Sequence, residues 1–365
     1  MRTLRSGRTG VLCSSLVLGF ALHAGLAKPP GPPAPVPAGS TNRTMTLDVA
    51  VTDKSGRPIS GLQQQDFTLL DNKLRQKIVS FQAVEGGTAT SDPPVEMVLL
   101  IDQVNATFTQ VAFARDAIEQ FLKKNGGKLA RPVSTVFFSD TRTEFAIEHS
   151  LDGNAIIADL NQKKTSLRII GRSQGVYGAQ DRLQLSLQTL KQIADYELEK
   201  PGRKFLVWIS PGWPMLSGPN VQFSSKQQQR LFSSIVGLSD ELRQARITLY
   251  AIDPLGMEDA GGFQPEFYKQ FVKGVKKADQ VRFGDLALQV LAAQSGGRVF
   301  NSNNDVAGEI ATCDADAGAF YVLTFDGLPG DGPNEYHTLA IKIDKPGLTA
   351  RTRAGYYAQQ ENPGH

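Results

Sequence analysis

The stretch that most limits what this chain can become is the run Val95-Glu96-Met97-Val98-Leu99-Leu100-Ile101, which follows Pro93-Pro94 and stops at Asp102. An apolar run of that length, without polar alternation, reads as a strand buried on both faces. In open α/β sheets, ligands sit just beyond the carboxyl ends of such strands, which is where Asp102 falls. Two polar positions follow, Asn105 and Thr107, and then an amphipathic pattern over about 109–124 places Val111, Ala114, Ile118, Phe121 and Leu122 on one helical face.

From Val95 onward the chain alternates. Apolar runs at 132–139, 204–210, 247–252 and 298–301 read as strands, with an edge strand at 144–147. Helical stripes fall at 151–160, 182–198, 231–245, 284–294 and 305–312. Strands alternating with helices over this span predict βαβ units and an α/β fold with a doubly wound, mostly parallel sheet. The segments on either side are β in character. Met45, Leu47, Val49 and Val51 alternate with polar residues, and Phe67–Leu70 and Ile78–Phe81 read as two more strands. The stretches 319–325, 336–343 and 348–357 alternate as well. Each set is too small to bury its own core, so the N- and C-terminal strands are expected to pair in one β module flanking the α/β part. The implied organisation is a β module at 42–86, an α/β domain at 95–313 and C-terminal strands at 318–358. Between 255 and 283 an insertion carries Phe263, Phe267, Tyr268 and Phe271, whose spacing predicts a short packed helix, beside Lys273, Lys276 and Lys277.

Residues 1–27 read as an export signal: Arg2, Arg5 and Arg8, an apolar segment from Val11 to Leu22, and small residues at 25–27. Residues 28–41 form a proline-rich linker. Removing the signal takes three of the 39 basic residues and none of the 36 acidic ones, leaving the two signs in balance. Nothing then argues for a nucleic-acid surface, and no transmembrane segment is expected in the mature chain. Of the two cysteines, only Cys313 remains, so no intrachain disulfide can form. The histidines His23, His149, His337 and His365 are scattered along the sequence, and no zinc cluster is visible.

Several stretches resemble the von Willebrand factor A family, most closely the secreted bacterial proteins, common in acidobacterial genomes, called VWFA-related. VEMVLLIDQVNATFTQVAFARDAIEQFL is similar to that family's first strand and helix, and KFLVWISPG to its central strand. LAAQSGGRVFNSNND resembles the segment before its last strand. DVAVTDKSGRPISGLQQQDFTLLDN and HTLAIKIDKPGLTARTRAGYYA resemble the flanking β parts of the VWFA-related group. The resemblance spans about 44–358. It implies a von Willebrand factor A, Rossmann-like fold and a metal-ion-dependent adhesion site. That site uses Asp-x-Ser-x-Ser after the first strand, a Thr from a second loop and an Asp from a third, because a hard divalent cation needs near-octahedral oxygen ligands.

Asp102 matches the first carboxylate, but Val104 and Ala106 occupy the two hydroxyl positions. Asn105 and Thr107 are the nearest polar side chains, each one residue out of phase. Ser210-Pro211-Gly212 stands where the third-loop Asp is expected, and Ser173 and Asp181 are the nearest candidates for the second-loop Thr. The candidate metal set is therefore Asp102, Asn105 and Thr107, with Mg2+ the ion to test and no cofactor expected. Asn105 and Thr107 can equally serve as helix caps. The loop after 204–210 offers Ser210, Trp213 and Met215 as partner-binding candidates. The expected function is a secreted or periplasmic protein-interaction module of adhesion type, with a degenerate metal site, a protein partner of unknown identity and no catalysis. Two alternatives stand beside it. One is a hydrolase using Asp102, although Val104 replaces the second carboxylate of an Asp-x-Asp nucleophile motif; the other is a structural cell-envelope component.

Overall fold

The computed structural model describes residues 43–85, 94–145, 149–163, 176–213, 223–254, 256 and 266–360. The predicted signal and linker, Met215 and Ser173 lie outside them. Alternation does what it predicts in β1 (Thr44–Thr52), which buries Met45, Leu47, Val49 and Val51. It is followed by β2 (Phe67–Asp71), β3 (Leu74–Gln76) and β4 (Ser80–Glu85). The β2–β3 hairpin turns on Asn72 and Lys73, both at positive φ (48° and 70°), the backbone a tight two-residue turn demands.

The α/β part runs in chain order as β5 (Val95–Asp102), α1 (Phe108–Lys123), β6 (Lys128–Phe138), β7 (Thr143–Phe145), β8 (Ser150–Asp152), α2 (Gly153–Gln162), α3 (Val176–Leu198), β9 (Arg203–Ile209), α4 (Ser225–Gln244), β10 (Ile247–Ile252), α5 (Leu288–Gln294), β11 (Val299–Phe300) and α6 (Val306–Ala315). Its strands form one seven-stranded sheet in the order β11-β10-β9-β5-β6-β7, with β8 also against β6. β11, β10, β9, β5 and β6 are parallel; β7 and β8 run antiparallel at the β6 edge. The order reverses between β5 and β9, so the end of β5 is the switch point of a doubly wound sheet.

The pleat divides β5 between two cores. Met97, Leu99 and Ile101 join Phe205, Val207 and Ile209 of β9 against α1, α2 and α6. Val98 and Leu100 join Leu206 and Trp208 against α3, α4 and α5. Six apolar side chains of β5 are essentially inaccessible to water, which on transfer figures amounts to on the order of 10 kcal/mol from this strand alone. A strand with both faces covered has no need for polar alternation, hence the apolar run Met97–Ile101 in the sequence. Gly296 and Gly297 make the packing of α5 possible. Gly296 ends the helix at φ 90°, and a Cβ on Gly297 would lie 1.7 Å from the Leu249 carbonyl oxygen.

The last strands are β12 (Ala319–Asp326), β13 (Glu335–Ile343), β14 (Thr349–Arg351) and β15 (Gly355–Ala358). They interleave with the first four as two antiparallel sheets, β14-β1-β12-β4 and β15-β13-β2-β3, which share one apolar core. This β layer is continuous with the α/β part, since Val84, Phe320 and Val322 pack in the same core as Met97. Arg246, after α4, pairs with Asp48 of β1 at 2.5 Å.

Some boundaries differ from expectation for local reasons. α2 starts at Gly153 rather than at 151, because Asp152 caps it by accepting from the amides of Asn154 and Ala155. α4 starts six residues before the apolar stripe, on a capping box formed by Ser224 and Gln227. α5 starts at Leu288, because Asp285 caps a separate 3-10 turn at Phe283–Leu286. The insertion holds 3-10 turns at Phe267–Phe271 and Ala278–Gln280 where one amphipathic helix was expected.

Candidate functional site

At the switch point the Asp102 carboxylate is buried and fully engaged. Oδ1 accepts from the backbone amides of Val104 (2.9 Å) and Asn105 (2.8 Å). Oδ2 accepts from Asn105 Nδ2 (2.8 Å) and from the indole Nε1 of Trp208 (2.9 Å). A carboxylate has about four lone-pair directions, and here each one meets an N–H. The loop is held at two more points. Gln103 donates its amide to the Phe138 carbonyl at the end of β6 (2.8 Å). Asn105 Nδ2 also donates to Ser186 Oγ of α3 (2.9 Å), which itself donates to the Arg182 carbonyl (2.7 Å). Asp102 thus ties β5, β9 and, through Asn105, α3 into one hydrogen-bonded cluster.

Thr107 belongs to a different device. Its Oγ1 accepts from the Gln110 amide and its own amide donates to Gln110 Oε1 (2.7 Å), a capping box that starts α1. The structure therefore brings Asp102 and Asn105 together and leaves Thr107 as a helix cap. Val104 is fully buried among the apolar side chains of the α3–α5 face. Asp181 is exposed on α3 and makes no part of the cluster.

The adhesion-site cation implied by the resemblance does not fit these residues. An ion needs lone pairs turned toward it, whereas the Asp102 oxygens face four N–H donors. Trp208 presents a donor where a ligand would be required. Thr107 Oγ1 is occupied by an amide, and Val104 and Ala106 have no side-chain oxygen.

The other candidates are also drawn inward. Ser210 is buried, with Oγ accepting from the Gly212 amide (3.0 Å). Trp213 is 5% exposed, stands edge-on to Trp208 with centroids 5.6 Å apart and donates Nε1 to the Leu286 carbonyl. Neither offers a partner a surface in this state. Among the described residues, Phe108, the first residue of α1, is an apolar side chain exposed beside the crevice, at 62%. Sequence reasoning passed over Trp208, Ser186 and Phe108. A signal for Trp208 existed: a tryptophan in a buried strand needs a partner for its N–H.

A second buried polar constellation lies in the β layer. Asp71 accepts from Tyr356 Oη (2.6 Å) and from the Leu328 amide (3.2 Å), and His337 Nδ1 stands 3.0 Å from its other oxygen. The three side chains come from β2, β15 and β13, so this network staples the strands of one sheet. Burial, ahead of Asp71 itself, pushes the Tyr356 hydroxyl pKa up, keeping it a proton donor.

No protein-family profile matches the chain, and no curated protein matches it. Among solved structures, an aerotolerance-related membrane protein from Bacteroides fragilis is 13% identical, with 61% of this chain and 97% of that one covered and a TM-score of 0.31. The PilB minor pilin of Streptococcus sanguinis is 13% identical over 61% of this chain and 60% of its own, at 0.32. The pilus adhesin SpaC of Lactobacillus rhamnosus GG is 10% identical over 83% and 43%, at 0.36. Superpositions at this level decide neither fold family nor function. Among the described residues no helix is long and apolar enough to cross a membrane.

Proposed function

We propose that this chain is an exported protein-interaction module of von Willebrand factor A type, in which protein N–H donors have replaced the metal ion of the adhesion site. The observation that carries the reading is the closed hydrogen-bond shell of Asp102 at the switch point of the doubly wound sheet. In this reading Asp102 works as a clamp that holds the crevice loop in the shape a cation would otherwise impose. The same closure speaks against nucleophilic chemistry, since a carboxylate with every lone pair engaged and no second acid at Val104 has nothing to attack with. Recognition then falls to the rim, where Phe108 supplies an exposed aromatic contact beside the loop. The partner is a protein of the cell envelope or exterior, met in the periplasm or outside the cell.

The test is retention of a partner from envelope extract on immobilised wild-type chain and on Phe108→Ala. Specific retention by wild type that falls at least tenfold in the variant supports the reading. Retention of nothing specific by either would favour a structural envelope component, and turnover of generic phosphatase or esterase substrates that depends on Asp102 would revive the hydrolase.

A further inference from the structure

Six residues before Asp102 on β5, and on the same face of the sheet, lies Glu96. At ~3.3 Å per residue this puts it roughly 20 Å from the crevice. Glu197, in the last turn of α3, and His149, immediately before β8, converge on it. One oxygen of each carboxylate and one ring nitrogen all lie within 4.8 Å of one another. Glu96 Oε2 and His149 Nε2 are 3.2 Å apart, yet their angles do not make a hydrogen bond. Glu96 Oε2, His149 Nε2 and Glu197 Oε2 are all shut off from solvent, and among the described residues none has a hydrogen-bond partner. Glu197 is 1% exposed. The neighbouring lysines do not fill the gap. Lys200 Nζ donates to the other oxygen, Glu197 Oε1, at 3.0 Å, and Lys204 Nζ donates to the Lys200 carbonyl.

Buried carboxylate oxygens are rarely left unpaired, because desolvation without a partner is costly. Three acceptor atoms turned on one point call for a cation between them. We propose that Glu96, His149 and Glu197 form a zinc-binding site. Ligand atoms on a tetrahedral zinc with bonds of ~2.0–2.1 Å stand about 3.3–3.4 Å apart, close to the 3.2 Å between Glu96 and His149. Glu197, whose ligand atom lies within 4.8 Å of the other two, closes the remaining distance by side-chain torsion. Imidazole among the ligands selects a borderline metal over Mg2+ or Ca2+, which need a larger shell of oxygens. Bound zinc would join β5, the lead into β8 and α3. The scattered histidines hid this site, since 101 positions separate Glu96 from Glu197 and only the fold places His149 between them.

The experiment is equilibrium dialysis of the full chain, stripped with a chelator, against Zn2+, with metal content and thermal midpoint read together. Wild type should take up one zinc per chain and melt higher with it. Glu96→Gln and His149→Gln should bind at least tenfold more weakly and lose the zinc-dependent shift, while their metal-free midpoints stay at or above that of wild type. Asp102→Asn should keep full stoichiometry, which separates this site from the crevice, and Co2+ should give a visible d–d absorption lost in Glu96→Gln. No zinc uptake by folded wild type, as when a shared proton satisfies the cluster, overturns the proposal. So does undiminished uptake by both variants.

Discussion

If Asp102 and Trp208 form the clamp, removing either should change what the other is worth. Trp208→Phe deletes the N–H that reaches Asp102 Oδ2 at 2.9 Å. A hydrogen bond to a charged acceptor contributes about 1.5–3 kcal/mol. The smaller ring also loosens edge contacts with Phe138 and Trp213, so the single variant should lose more than that. Asp102→Asn keeps the size but replaces an acceptor with a donor. The Asn105 side chain could turn its Oδ1, unpaired among the described residues, toward the new amide, but that arrangement points the amide hydrogens at the Trp208 N–H as well. Without the indole N–H the conflict disappears, so Asp102→Asn should cost less in the Trp208→Phe background. A double-mutant cycle by urea unfolding, followed by far-ultraviolet circular dichroism, should return a coupling of about 1.5–3 kcal/mol. At ~2–4 °C per kcal/mol for a domain of this size class, the wild-type interaction should be worth about 3–12 °C in Tm. Single-variant costs that add to within about 0.5 kcal/mol would refute the clamp, because additivity is what independent sites show.

Other consequences are simpler to check. Thr107→Ala should cost about 1 kcal/mol of unfolding free energy by loss of the α1 cap, with no change in any metal response; a cost near zero would contradict its assignment as a cap. Glu309 is buried in α6 with both carboxylate oxygens unpaired among the described residues, and burial, then Asp305 and Asp253, raise its pKa from its ordinary 4.5 to about 8. The folded state then holds this proton where the unfolded state has released it, so stability should fall as pH rises from about 5 to about 8, by at most ~1.4 kcal/mol per pH unit from this group. Urea midpoints for Glu309→Gln should lack that part of the slope. Phe108→Ala should leave the unfolding free energy within about 0.5 kcal/mol of wild type, since its side chain is already mostly in water, while lowering partner retention.

The sheet was legible in the sequence because burial on both faces leaves a direct mark: β5, β9 and β10 carry apolar runs at Met97–Ile101, Phe205–Ile209 and Leu249–Ile252, and β10 falls at 247–252 as read. The pairing of the N- and C-terminal strands could be argued from economy, but its register could not, since β1 meets β12 some 280 residues later. Helix starts were poorly marked where the first turns are polar and exposed, as at Ser225, because apolar periodicity is silent there and only the cap at Ser224 speaks. Asp102 was found by its position at a strand end. What closes it was not, because the deciding donor is 106 residues away on the neighbouring strand. Sequence spacing around Asp102 pointed to Thr107 as a co-ligand, while the backbone uses it to begin a helix. Distance along the chain likewise concealed the convergence of Glu96, His149 and Glu197.

The claim that protein donors have taken the place of a cation at Asp102 is tested most directly by thermal melts of the full chain in saturating Mg2+ and Mn2+, wild type beside Asp102→Asn. The clamp predicts that any shift caused by either ion is the same in wild type and Asp102→Asn to within about 1 °C, because by linkage an ion raises stability only to the extent that it binds the folded state. It also predicts that Asp102→Asn lowers the midpoint equally with and without metal. A rise of several degrees in wild type that vanishes in Asp102→Asn would contradict it, and would return the crevice to the metal-dependent adhesion sites from which we separate it.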